Sequence, residues 1–338
     1  MLTTMTAPVP EPVPDAARPG SRWKLLLRIV VSGALLALVV SKASGVDDAI
    51  PDQHPGLTIS LLALTVLTAL IGVVLSAWRW QRVLLLFDVH VPMPSLFSHY
   101  LVGLLVGNVL PSTIGGDVVR VARASNTVGS AEVSFGSVVL ERLTGFVGLP
   151  LLVLAGFAAR PSLIHHAHAW IALFVAGLAV AMLTLILFLA GHPRLAGRYA
   201  DKESWSRFIG AVHVGVGRLR REPRHIAFIL FATVVFQASQ VLMFGLIFRA
   251  LDLPVPIAAV IAFAPVVLML QVLPISFSGL GVREGALVLF LHSFHVSNAQ
   301  GGAAGLLWWG SILAVSMLGA PAFAVGNRAR AANAKESA

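Results

Sequence analysis

Thirteen residues occur twice in this chain, and each copy interrupts an apolar run. Asn108-Val-Leu-Pro-Ser-Thr-Ile-Gly-Gly-Asp-Val-Val-Arg120 returns 163 positions later, without a gap, as Gln271-Val-Leu-Pro-Ile-Ser-Phe-Ser-Gly-Leu-Gly-Val-Arg283. Val, Leu, Pro, Gly, Val and Arg are identical in the copies, and Asn/Gln, Thr/Ser and Ile/Phe are near matches. In a membrane protein, matched Pro and Gly breaks in two halves point to a substrate site built by an internal repeat. Such a break leaves amide groups unpaired in hydrocarbon, at several kcal/mol each, unless it is buried in protein or lines a wet cavity.

Composition places the chain in a bilayer. Of its 338 residues 57% are hydrophobic and 12% charged, against roughly 25% charged in a soluble domain. Uncharged stretches at 57–77, 169–190, 226–248 and 302–325 each reach the ~20 residues needed to cross a ~30 Å hydrocarbon core. The formal charge of +9 does not point to nucleic acid, because the basic residues lie in short loops beside apolar segments, where they encode orientation. The chain has no cysteine, which excludes disulfide and thiolate chemistry.

Residues 1–20 carry five prolines and no apolar run and read as a disordered tail. Arg22, Lys24 and Arg28 then precede an apolar segment at 29–40. That segment is either a retained first helix or a signal peptide cleaved near Ser41-Lys-Ala43; a retained helix completes the symmetry of the two halves. Trp78-Arg-Trp-Gln-Arg82 reads as an interfacial anchor of aromatic and basic residues at the end of the second crossing. Residues 192–225 hold eight Lys/Arg against three acids and form a cytoplasmic loop, either an amphipathic helix on the anionic leaflet or a plain orientation signal.

The expected fold is an all-α polytopic membrane protein with about six full crossings and two re-entrant or broken-helix hairpins, at 95–127 and 257–294. Its transmembrane domain covers 21–325, with repeat 1 at about 22–160, repeat 2 at about 165–325, and a cytoplasmic tail at 326–338. The first half reads in-to-out, out-to-in, hairpin from inside, in-to-out. The second half reads as its inverted copy, with both termini cytoplasmic.

The expected substrate-binding residues are Asn108, Pro111, Ser112, Gly115, Gly116, Asp117 and Arg120 at the first break. Gln271, Pro274, Ser276, Gly279, Gly281, Arg283 and Glu284 form the second group, and Glu141 and Arg142 sit on the next crossing. The second arm of each hairpin offers free N–H groups and a positive dipole end to an anion, and a guanidinium grips phosphate in two-pronged fashion. Read singly, either arginine is equally an interfacial snorkeller. Asp117 either caps its helix or meets a cation. Ionised residues inside a crossing face an interior or a cavity. Adjacent helical positions diverge by about 100°, so Glu141 and Arg142 each look to a hairpin for a partner, in transport or in a structural ion pair. Gln237 and Gln240 either line the cavity or hold a neighbouring helix. Pro150 and Pro321 are expected to kink their helices. His165, His166 and His168 read as an interfacial loop rather than a metal cluster, and no cofactor motif is present.

Asn108-x-Leu-Pro-x-x-x-Gly-Gly-Asp-x-x-Arg120, Ser137-x-x-x-Glu-Arg-Leu-x-Gly145 and Leu273-Pro-x-Ser-x-x-Gly-x-Gly-x-Arg-Glu284 together resemble the lysylphosphatidylglycerol synthase transmembrane domain family, also called flippase-like domain proteins. The resemblance covers nearly all of 22–325. It implies a multi-pass protein of the bacterial inner membrane that moves a lipid between leaflets, whether an anionic phospholipid, a glycolipid or a polyprenyl-linked sugar. It also makes Arg120, Glu141, Arg142, Arg283 and Glu284 the polar core. The chain ends thirteen residues after Val325, so the soluble aminoacyl-transferring domain of full-length synthases is not expected, and the chain is read as a transporter and not an enzyme. Two other readings remain open: an ion- or proton-coupled carrier of a small anion, and a membrane partner of a separate lipid-modifying enzyme.

Overall fold

The structure, a computed structural model, describes residues 55–109, 115–192, 207–273 and 279–324. Among the described residues ten α-helices are found: α1 Pro55–Leu85, α2 Met93–Val109, α3 Gly115–Val128, α4 Ala131–Ala159, α5 Ala169–Gly191, α6 Arg207–Arg221, α7 Pro223–Ala250, α8 Ile257–Leu270, α9 Val282–Leu291 and α10 Asn298–Ser316. Short 3-10 turns follow α4, α9 and α10, and among the described residues no strand occurs. Among the described residues five helices are long and apolar enough to cross a membrane: α1, α4, α5, α7, and α10 with its continuation to Ala324. The protein is thus an all-α, multi-pass membrane protein. The apolar segment at 29–40 lies outside the described residues.

The helix ends follow local chemistry. Ser130 caps α4 by accepting from the Val133 N–H at 3.2 Å. Ser297 and Gln300 form a reciprocal box at the start of α10, satisfying two otherwise orphaned donors. Pro150 is accommodated inside α4, and α10 tightens into a 3-10 turn at Met317–Gly319 just before Pro321. With 14, 14 and 10 described residues at about 1.5 Å per residue, α3, α8 and α9 each fall short of ~30 Å of hydrocarbon, and α2 with 17 stands at the lower limit.

The four helices α1 to α4 are followed, after α5 and α6, by four helices in the same order and close to the same register. The same pairs of helices meet when the two sets are exchanged, though not to the same extent. Helix α1 lies on its counterpart α7; α4 packs on α8 as α10 packs on α2; and α4 meets α7 as α10 meets α1. Two glycines 163 residues apart make the equivalent close crossing. A Cβ on Gly156 would lie 2.4 Å from the Ala262 nitrogen of α8, and one on Gly319 would lie 2.6 Å from the Leu101 oxygen of α2. Small residues at such crossings let backbones approach where no hydrophobic force drives helices together.

Helix α5 stands outermost. Trp170, Phe174, Leu178, Met182, Leu185 and Phe188 are exposed, and only its alanines 169, 172 and 176 are buried, as expected of a surface facing lipid. The basic helix α6 is docked against the bundle. Gly136 of α4 is in tight contact with Ala211, and a Cβ on Gly215 would strike Leu140 and Phe87. Arg218 donates to the Leu86 carbonyl at 2.7 Å and to Asp88 at 2.5 Å, and Arg220 donates to the Leu187 carbonyl at 3.2 Å. These cations sit at the C-terminal ends of α1 and α5, where free carbonyls and the negative dipole end favour them.

Candidate functional site

Five charged side chains join into one chain at the meeting of α1, α3 and α4. Arg120, one turn into α3, lays its stem over Gly103 of α2, where a Cβ would be 2.3 Å away. Its guanidinium is held between the rings of Trp80 (4.4 Å) and Tyr100 (4.2 Å). It donates to Glu141 Oε2 through both terminal nitrogens at 3.3 Å, and to Asp117 Oδ1 at 3.3 Å. Arg79 of α1 donates to the other Glu141 oxygen and lies over Phe236, 4.9 Å from the ring centre. Arg142 closes the series by donating to Asp117 Oδ1 at 2.9 Å. Arg79, Arg120 and Glu141 are only 3%, 2% and 1% exposed, a degree of burial that ionised groups tolerate only when paired.

Glu141 and Arg142 do take partners from the first hairpin, on diverging faces of α4, as their angular separation requires. Arg79 is the residue that the sequence pattern misplaces. Trp78-Arg-Trp-Gln-Arg82 is not an interfacial anchor as a whole, because α1 continues to Leu85 and carries the motif inside the bundle. Arg79 and Trp80 turn inward, and Trp80 donates to Ser137 Oγ at 2.9 Å. Trp78 and Arg82 turn toward Phe228 of α7. The usable signal was the spacing from Gly72 and Ser76 to Arg79, a stripe of small and polar residues on one face of an apolar helix.

The second break is built differently. Glu284 of α9 accepts the Gly281 N–H at 2.6 Å, capping the helix, and its other oxygen accepts from Arg283 Nε at 3.0 Å and Nη2 at 2.5 Å. The two neighbours therefore pair with each other, contrary to the divergence expected within a helix. The carboxylate folds back over the first turn, within reach of the long arginine. Both residues are fully buried. Arg283 lies over Trp308 at 5.1 Å, and Trp308 stacks on Phe244. Gly279 and Gly281 have φ of +75° and +80°, a region in which a side chain is strained.

Two cavities border these groups. A central cavity of about 210 Å³ lies between the repeats and is lined by Ser76, Arg79 and Glu141 from the first, and by Gln237, Gln240 and Trp308 from the second, with Gln271 at the edge of the second break. An apolar groove of about 1200 Å³ runs between α3, α4, α5 and α8, closed by Phe208 of α6 and polar chiefly at Asp117 and Arg142. Arg142 and Phe146 line both. Of the expected site residues, Asp117, Glu141, Arg142 and Gln271 line a cavity. Asn108, Gly116, Arg120, Gly279, Gly281, Arg283 and Glu284 stand behind these walls. Gly115 begins α3, and Pro111, Ser112, Pro274 and Ser276 lie outside the described residues. Gln237 donates to the Gly145 carbonyl at 2.9 Å, tying α7 to α4 while lining the cavity. His166 stacks on Phe294, and among the described residues no three His, Asp or Glu gather as a metal site.

The fold and site define a polytopic helical membrane protein with a buried arginine–carboxylate core in its first half. The family model for the lysylphosphatidylglycerol synthase TM region matches residues 25–319, and the chain belongs to that family. It is also similar to the UPF0104 membrane protein PH1989 of Pyrococcus horikoshii, at 21% identity over 175 residues, or 51% of this chain and 51% of that protein. The chain thus spans about half the length of that curated relative.

Proposed function

We propose that the protein moves a phospho- or glycolipid between the leaflets of a bacterial inner membrane, with both termini cytoplasmic and the two repeats inverted. The observation that carries this reading is that a large apolar groove and a smaller cavity lined in part by charged and amide side chains share the wall residues Arg142 and Phe146. An amphiphile needs both environments at once: its chains stay in the groove, in contact with lipid-like surface, while its headgroup crosses through the charged interior. Rocking of one repeat against the other exposes such a site alternately. Arg120 and Arg283 hold the second arms of the two hairpins in place for that motion.

In vesicles reconstituted with the pure protein, a labelled phospholipid is expected to exchange between leaflets, and Arg120→Ala or Arg283→Ala to abolish the exchange while the variants stay folded. Intact exchange by both variants refutes the assignment. A second reading, a carrier of a small anion, is favoured by the size of the central cavity, which takes on the order of seven waters' volume. Uptake of a soluble anion without lipid exchange selects it.

A further inference from the structure

Three residues of the central cavity carry buried polar atoms that meet no partner among the described residues. Ser76 Oγ, Arg79 Nε and Nη1, and Trp308 Nε1 are all buried with no hydrogen-bond partner among the described residues. All three residues line the 210 Å³ space, and they are 0%, 3% and 8% exposed. Buried donors are nearly always satisfied, and leaving a charged one unmade is costly. The five-membered charge chain is also unbalanced. Arg79, Arg120 and Arg142 set three positive charges against the two of Asp117 and Glu141, leaving a surplus of one cation deep in the bundle. The Arg283–Glu284 pair is neutral and does not offset it.

We infer that the central cavity is a binding site for a singly charged phosphoryl group, received by Arg79, Ser76 and Trp308. A phosphodiester supplies several acceptor oxygens and the one negative charge the chain lacks. Arg79 holds Glu141 with one nitrogen and Phe236 with its face, so its two unpartnered nitrogens, Nε and Nη1, are preset in direction and no rotamer has to be ordered when the anion arrives. The space admits a phosphate with a small alcohol and excludes acyl chains, which leave through the groove past Phe146. Ser76 and Arg79 come from the first repeat and Trp308 from the second, so the anion bridges them. Through the ring of Trp308 its presence reaches Arg283. The inference rests on the transport reading only for the source of the phosphoryl group, a lipid headgroup or free phosphate.

The test measures binding to the full chain in neutral detergent, with dioctanoyl phosphatidylglycerol, dioctanoylglycerol and inorganic phosphate as probes. Ser76→Ala and Trp308→Phe each delete one donor and keep the packing, whereas Arg79→Gln also strands Glu141. The phosphatidylglycerol is expected to bind and the uncharged diacylglycerol not to. Each mild variant weakens binding roughly tenfold, as loss of one hydrogen bond to a charged group does. Binding of inorganic phosphate alone, with the same response to the variants, upholds the anion site and overturns the lipid source. Equal binding of charged and uncharged lipid, or affinities unmoved by Ser76→Ala and Trp308→Phe, overturns the site, since the donors then face only water. Lipid exchange measured on the same variants separates the two claims: exchange that persists when anion binding is lost removes this site and leaves transport standing.

Discussion

Arg120 and Arg283 occupy the same position in two copies of one motif, yet they keep different company. Arg120 sits between two aromatic rings and shares acids with Arg79 and Arg142, drawing on four helices. Arg283 is satisfied by its own neighbour and one tryptophan. The sequence explains why. At the 163-residue offset Arg79 becomes Leu242, Trp80 becomes Met243, Asp117 becomes Leu280, Glu141 becomes Ala304 and Arg142 becomes Gly305. Both halves keep the break and its arginine, but the acids differ: Glu141 and Asp117 meet Arg120, and Glu284 meets Arg283. A recurring motif therefore fixes where a polar group enters the bundle without fixing what it meets there, and the branched charge network belongs to the first half.

The largest expected effect comes from removing the acids. Glu141→Leu strands Arg79 and leaves Arg120 with Asp117 alone, and should cost about 3–5 kcal/mol, in the range for breaking a buried pair, read as a loss of thermal stability in detergent. Glu284→Leu strands one arginine and a cap and should fall at the lower end of that range. A greater loss from Glu284→Leu would reverse the ranking of the two sites. Next come the paired crossings: Gly156→Val and Gly319→Val should each destabilise by about 1–3 kcal/mol through overpacking. Unequal losses would show that the matched packing of the halves is not matched in energy.

The breaks themselves separate at a smaller scale. Gly279→Ala forces a side chain into positive φ and should cost about 1–2 kcal/mol. The smallest change in stability, about 0–1 kcal/mol, is expected for Arg142→Gln, because that side chain is half exposed. In the proposed transport cycle the same variant should slow lipid exchange at least tenfold. Exchange at the original rate, measured in the same vesicles, would detach the groove from the polar core.

Much of the fold was legible along the chain. The crossing expected at 226–248 is α7 at Pro223–Ala250, that at 169–190 is α5 at Ala169–Gly191, and short helices flank each break. Runs of apolar residues and their Pro and Gly stops act locally, so they survive without knowledge of neighbours. Arg79 shows where that kind of reading fails: a Trp-Arg-Trp sequence is the same string at a membrane surface or inside a bundle. Only the neighbours brought by α4 and α7 distinguish the two.

The sequence by itself determined that the chain is a helical membrane protein, that a thirteen-residue motif recurs in it, and that Arg120 and Arg283 hold the same place in the two copies, because each rests on periodicity and spacing. The tertiary structure decided the pairings: Arg79 with Glu141, Arg142 with Asp117, Arg283 with its own neighbour. It also decided that the first repeat's donors face the second repeat's tryptophan across one cavity. Charge partners in a bilayer are chosen by which helices come within hydrogen-bond reach, a long-range outcome of packing that no local pattern encodes.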